Sequence, residues 1–300
     1  MPDINKHADI PPVEEPIKDE NWIHAVFSVF IRCFKTKEGA IGLIVSLFLL
    51  VVAIFSTHLA PADPFAPSTT AVLQAPSSLH WLGTDDLGRD ELSRIIYGAR
   101  VSMIVGLGSV AVATIAGVFI GLVTGYFGGW MDSIVTRTMD IMMAFPGLVL
   151  ALIISALMGI SLTNTIIALG IVSVPRFARL IRGQVMTVMQ RDFIESARAV
   201  HAGHIRIMTK YVFPHLVPLI VIEATLTIAF SILTEASLSF LGLGVQPPHT
   251  SWGQMLKTGY PYLETAPWIA FAPATITLVA VLGFNLLGDG LRTVLQSNKN

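Results

Sequence analysis

Two carboxylates, Glu223 and Glu235, sit deep within an apolar run from Tyr211 to Val245. An ionisable group in such surroundings is costly and by default marks a pathway or a relay. Glu223 should lie nearer the inner half of its span, facing either a pore or a partner helix. Glu235 should lie nearer the outer end and pair with backbone or loop groups. A second set, Asp85, Asp86, Arg89, Asp90, Glu91 and Arg94, forms a mixed-charge cluster opening a short helix. It is either a solvated cap over a pore mouth or a surface for another protein. His201 and His204 could begin a metal site, but that chemistry needs third and fourth ligands, and none is evident. Arg137 and Asp140 are one helical turn apart and should pair. Neither a G-x-x-x-x-G-K-[ST] phosphate loop nor an H-E-x-x-H or G-x-S-x-G signature occurs. The expectation is therefore no catalytic residue, no metal, no cofactor and no ATP hydrolysis by this chain.

The elements that position these groups belong in a membrane. The chain is 53% hydrophobic and 13% charged, where a soluble domain carries about 25% charged residues. So much apolar surface requires lipid as solvent for part of the molecule. The net charge of −1 gives no sign of a nucleic-acid partner, and none is expected. The single cysteine, Cys33, allows no internal disulfide. The first apolar run begins too late and is too long for a cleavable leader, so it reads as a retained span.

The uncharged windows predict an all-α integral membrane protein with six transmembrane helices. Residues 1–38 form an inner segment with an interfacial amphipathic stretch, followed by a first span over 39–60. An outer loop over 61–100 leaves that span through the proline-rich Ala60-Pro-Ala-Asp-Pro-Phe65. The core, residues 101–295, holds spans at 101–124, 136–159, 163–183, 215–244 and 267–288. An inner loop at 184–214 and an outer loop at 245–266 connect them, and 289–300 is an inner tail. Inner segments then carry Arg32, Lys35, Lys37, Arg137, Arg176, Arg179, Arg182, Arg191, Arg198, Arg206, Lys210, Arg292 and Lys299. The outer loops carry only Arg89, Arg94, Arg100 and Lys257. That asymmetry sets both termini in the cytoplasm. Ala113, Gly117, Gly121 and Gly125 recur every four residues and should let two helices approach closely. Pro146 and Pro175 lie within predicted spans, where they would kink the helix.

Within the inner loop, Asp192 to Val200 reads as a short amphipathic helix. Phe193, Ile194, Ala197 and Val200 share one face, with Asp192, Glu195 and Arg198 towards the other. It either rests on lipid headgroups or inserts its apolar face into a groove on a cytosolic partner.

Glu195-Ser-Ala197, followed by Phe213-Pro214, resembles the EAA loop of binding-protein-dependent ABC importer permeases. Three longer stretches are similar to the C-type subunit of the dipeptide, oligopeptide and nickel branch. They are Leu82 to Asp90 with Ser93-Arg94, Glu235 to Pro248 with Ser251-Trp-Gly253, and Asn285 to Arg292; Gly125 to Trp130 also fits. The resemblance covers roughly residues 30–295. It implies a MetI-like type I permease fold and a heterodimer with a B-type permease. Two cytosolic ABC ATPase subunits and an extracytoplasmic solute-binding protein would complete the assembly. The coupling residues would be Phe193, Ile194, Glu195, Ala197, Arg198, Val200, His201 and Gly203. Asp85, Asp86, Arg89 and Asp90 would meet the binding protein or gate, and Glu223 is the pathway candidate. Cargo would be a short peptide, with nickel, a metallophore or glutathione as alternatives. A secondary transporter or channel is the rival from another class. One position departs from the family pattern: His201 stands where glycine is usual, six residues after Glu195. Either histidine adopts the left-handed turn, which it tolerates better than most residues, or the turn shifts to Gly203.

Overall fold

The computed structural model describes residues 31–34, 36–247 and 249–297. The expected N-terminal amphipathic stretch lies outside them. The described residues are helical, with one isolated bridge, Thr84 to Asp90, and no β-strand.

Among the described residues, nine helices of eight residues or more organise the chain. α1 (Lys37–Ile54) is capped by Thr36, whose hydroxyl accepts the Gly39 N–H at 3.2 Å. α2 (Glu91–Phe127) is capped by Asp90, and at 1.5 Å per residue it is about 55 Å long, well beyond a hydrocarbon core of about 30 Å. It therefore starts well before residue 101, where apolar composition alone put the span. Gly128 and Gly129, both at positive φ (63° and 71°), turn the chain into α3 (Gly129–Ala144). α4 (Gly147–Met158) follows after a 97° bend at Phe145-Pro146, so the third span is broken rather than straight. Proline lacks the N–H that would continue the ladder, and the residue before it is driven to an extended conformation. α5 (Leu162–Val188) starts at Ser161, with Asn164 Nδ2 donating to the carbonyls of Met158 (2.7 Å) and Gly159 (3.0 Å) across the turn. α6 (Asp192–Ala199) is short. A turn at His204–Arg206 and a π-helical stretch, Ile207–Val212, lead into α7 (Phe213–Phe240). α8 (Trp252–Gly259) and α9 (Trp268–Ser297) complete the set.

By length and composition α1, α2, α5, α7 with its preceding turns, and α9 each suffice to cross a membrane, and the bent α3–α4 pair brings the number to six when it is counted as one broken span. α2 and α5 form the central pair. A Cβ on Gly121 would lie 2.5 Å from the Ala178 carbonyl, and one on Gly125 would lie 2.9 Å from that of Arg182. The glycine spacing thus serves close helix packing. α1 packs on α9 in the same way, Gly39 against Gly290 and Gly42 against the backbone of Leu287. α8 wedges between α2 and α7: Trp252 is fully buried and its indole donates to the Ile95 carbonyl at 3.1 Å. Glu235, also fully buried, accepts a hydrogen bond from Ser239 Oγ at 2.7 Å. That same hydroxyl accepts the Val245 N–H at 3.1 Å and so closes the turn after α7.

Candidate functional site

Between α5 and α7 the chain builds a compact platform at one end of the bundle. Ile194 and Ala197 of α6 are buried in one cluster with Ile181, Val185 and Val188 of α5 and with Ile207, Val212 and Leu216. Phe193 stacks on the His215 ring, with centroids 5.1 Å apart. The expected plug is corrected by these contacts. Phe193, Ile194 and Ala197 are used on this chain itself, and Val200 does not join them but stands 75% exposed. An eight-residue helix is too short to persist alone in water, so it needs a seat. The seat is the paired ends of α5 and α7. What faces outward is Glu195 and Arg198, with Val200 and Ile205 as two bare apolar side chains.

The turn after α6 resolves the question posed by His201. His201 N–H donates to Arg198 O at 2.9 Å and Ala202 N–H donates to Ala197 O at 3.0 Å, the paired bonds of a Schellman motif. His201 takes the left-handed position at φ 57°, whereas Gly203 is extended at φ −67°. The turn does not shift. His204 is not set up with His201 as a ligand pair; its Nδ1 is hydrogen-bonded to the Tyr126 hydroxyl at 2.8 Å, tying the loop to the end of α2. Three long helices therefore grip this loop.

Nearby, α5 carries Arg176, Arg179 and Arg182 at three-residue steps, each paired with an acid from another helix. Arg176 meets Glu223 of α7, Arg179 meets Asp140 of α3, and Arg182 meets Asp132 of α3. Glu223 thus faces a partner helix and is buried there. The expected Arg137–Asp140 pair is corrected, since Asp140 reaches across to α5. These arginines contribute to the inner-side charge, and the structure sets all three on the span helix α5. Their spacing was the available signal, because steps of three keep side chains close to one helical face.

At the opposite end, the Asp85–Asp90 turn is a folded cap. Asp85 Oδ1 accepts the N–H groups of Leu87 and Arg89, both at 2.9 Å, and Oδ2 meets Arg89 Nε at 2.6 Å and Arg94 Nε at 3.2 Å. Asp90 accepts from Ser93 N (2.8 Å) and Ser93 Oγ (2.7 Å), while its other oxygen faces His80 Nδ1 at 2.9 Å. Trp268 of α9 donates to the Thr84 carbonyl at 3.2 Å and pins the cap to the bundle. Asp85 and Asp90 are therefore interior struts, not contact residues, and of the four candidates only Asp86 and Arg89 stay partly open. Burial, with Asp85 adjacent, pushes the Asp86 carboxyl above the usual aspartate value, against the pull of Arg89 and Arg94.

Five long apolar helices and one bent apolar pair define a multi-pass membrane protein. The sequence matches the family described as binding-protein-dependent transport system inner membrane component over residues 117–299. It is 42% identical to the di/tripeptide transport system permease protein DppC of Pseudomonas aeruginosa, over 94% of this chain and 95% of that protein. It is 40% identical to the dipeptide transport system permease protein DppC of Alkalihalophilus pseudofirmus, over 95% and 93%. Identity to the glutathione transport system permease protein GsiD of Pectobacterium atrosepticum is 41%, over 94% of each chain. The chain belongs to this family of inner-membrane permease subunits of ABC importers, with the MetI-like all-α fold, and is a transport component rather than an enzyme.

Proposed function

We propose that this chain forms one half of the translocation pathway of a peptide importer, as the C-type partner of a B-type permease. Two cytosolic ATPases would sit below the α6 platform, and a solute-binding protein would deliver cargo at the cap. Both termini would then be cytoplasmic, in line with the arginine and lysine asymmetry. The supporting observation is the α6 platform itself. It is held by α2, α5 and α7, so a push on its outer face is transmitted to three spans at once. Glu195, Arg198, Val200 and Ile205 are the groups that a partner would touch. Relatives named for dipeptides, di/tripeptides and glutathione support a short peptide as cargo, glutathione being itself a peptide.

The test is reconstitution with and without the ATPase subunits. The reading requires uptake to depend on them and Glu195→Lys to weaken their association. Uptake that persists without ATPases would point to a channel or secondary transporter instead.

A further inference from the structure

The three arginines of α5 are held in different ways. Arg182 is locked, its Nε and one terminal nitrogen on the two oxygens of Asp132 at 2.5 and 2.7 Å, a two-pronged clamp. Arg176 meets Glu223 through Nε, and Arg179 meets Asp140 through one terminal nitrogen. A guanidinium has five N–H donors; among the described residues Arg176 meets Glu223 as an ion pair without a directed hydrogen bond, and the remaining donors of these two arginines make no hydrogen bond. The Arg176 and Arg179 side chains are 52% and 50% exposed, and that of Asp140 is 54% exposed. Glu223, by contrast, is only 7% exposed. Gly183, one turn beyond Arg179, continues the open face.

Arg176 lies near the middle of a helix about 40 Å long. A guanidinium at that depth does not face hydrocarbon without a large cost. Its open side fronts water or protein, and its spare donors select for anions. Arg292 of α9 adds a further positive charge acting on Glu223.

We propose that Arg176 and Arg179 form a carboxylate-binding site on the pathway face of α5, which takes the C-terminal carboxylate of a passing peptide. The site rests on the peptide-import reading above. Glu223 keeps Arg176 oriented whether or not cargo is present. Asp140, exposed and joined to a single arginine, is the arm that cargo displaces, so one carboxylate replaces another on Arg179. Arg182 is a strut that holds α3 meanwhile.

The experiment uses the assembled importer in liposomes, with cysteine-free partner subunits, Cys33→Ser removing the one thiol of this chain and Gly183→Cys adding a reporter. A Cβ at Gly183 meets nothing within 4 Å. Labelling by an anionic methanethiosulfonate is compared with labelling by a cationic one. The anionic reagent should be favoured, and Arg179→Gln should lower the anion-to-cation rate ratio about tenfold, the lower end of the range for charged clefts. Arg179→Lys should keep most of that ratio. Dialanine should slow labelling, whereas dialanine amide should not. An unchanged ratio in Arg179→Gln, or equal protection by the two peptides, overturns the site. Dialanine uptake by the unsubstituted importer checks the peptide reading separately, since the reagent ratio requires no cargo.

Discussion

Glu223 is a carboxylate buried in an apolar helix, and it meets a positive charge, Arg176, one helix away. The two sides of this pair are unequal, which sets the order of damage on substitution. Removing Arg176 strands a buried acid, whereas removing Glu223 leaves an arginine that is already half open. Loss of one partner of a fully buried pair costs about 3–5 kcal/mol; with one side solvated the expected cost of Arg176→Gln falls to about 1–2 kcal/mol. Thermal unfolding of the purified complex should rank Arg176→Gln below Glu223→Gln, with the double variant recovering part of the loss. Equal effects would contradict this ordering. His201 offers a second check at this scale. A left-handed conformation costs a non-glycine residue roughly 1 kcal/mol, so His201→Gly should slow amide exchange in the 192–203 loop and His201→Val should speed it.

The cap gives a pH dependence whose sign follows from Asp86. Its carboxyl is raised in the folded state, so the folded cap binds that proton more tightly than the unfolded chain does. Stability from this group is fully present below the ordinary aspartate value of about 4. It is lost as pH climbs through the raised folded value. Asp86→Asn should remove the part of the decline that this carboxyl carries, read as proteolytic resistance of the 61–90 segment against pH. Sequence showed the charged cluster but not its interior. Asp85 and Asp90 look like surface acids in any linear reading, and only the packing of Arg94, Ser93 and His80 around them reveals buried struts.

Among the helices, closeness decides tolerance. Gly121 lies against the backbone of α5, and Gly183 lies in open space on the same partner helix. Gly121→Val should lower stability by about 1–3 kcal/mol through overpacking, while Gly183→Val should be nearly neutral in the same unfolding assay. The four-residue glycine pattern made this contact readable in advance. Two other features were not readable. Pro146 signals a kink within residues 136–159, but composition does not report that the kink is a bend of 97°. The first turns of α2 hold Glu91, Arg94 and Arg100, which a search for uncharged windows excludes although the helix runs through them. The apolar face of α6 is legible from its spacing, yet amphipathicity does not say whether the chain or a partner covers it, and Val200 is left out of the covered part.

Over the whole molecule, the described residues divide into a cap at one end, five long apolar helices with the bent α3–α4 pair, and a platform at the other. The platform is fastened to α2 through Tyr126, to α5 through Val185 and its neighbours, and to α7 through His215. α3 differs, since none of its residues is buried, and its ion pairs to α5 come through Asp132 and Asp140. Movement delivered at the platform would therefore reach the central pair directly and α3 through a charge-paired joint. The most direct measurement is site-specific crosslinking in the assembled importer, with single cysteines at Val200, Ile205 and Ile194 in the Cys33→Ser background. The account predicts that Val200→Cys and Ile205→Cys crosslink to the ATPase subunit while Ile194→Cys does not. Labelling of the first two by lipid or aqueous reagents alone, with no ATPase adduct in any nucleotide state, would contradict it.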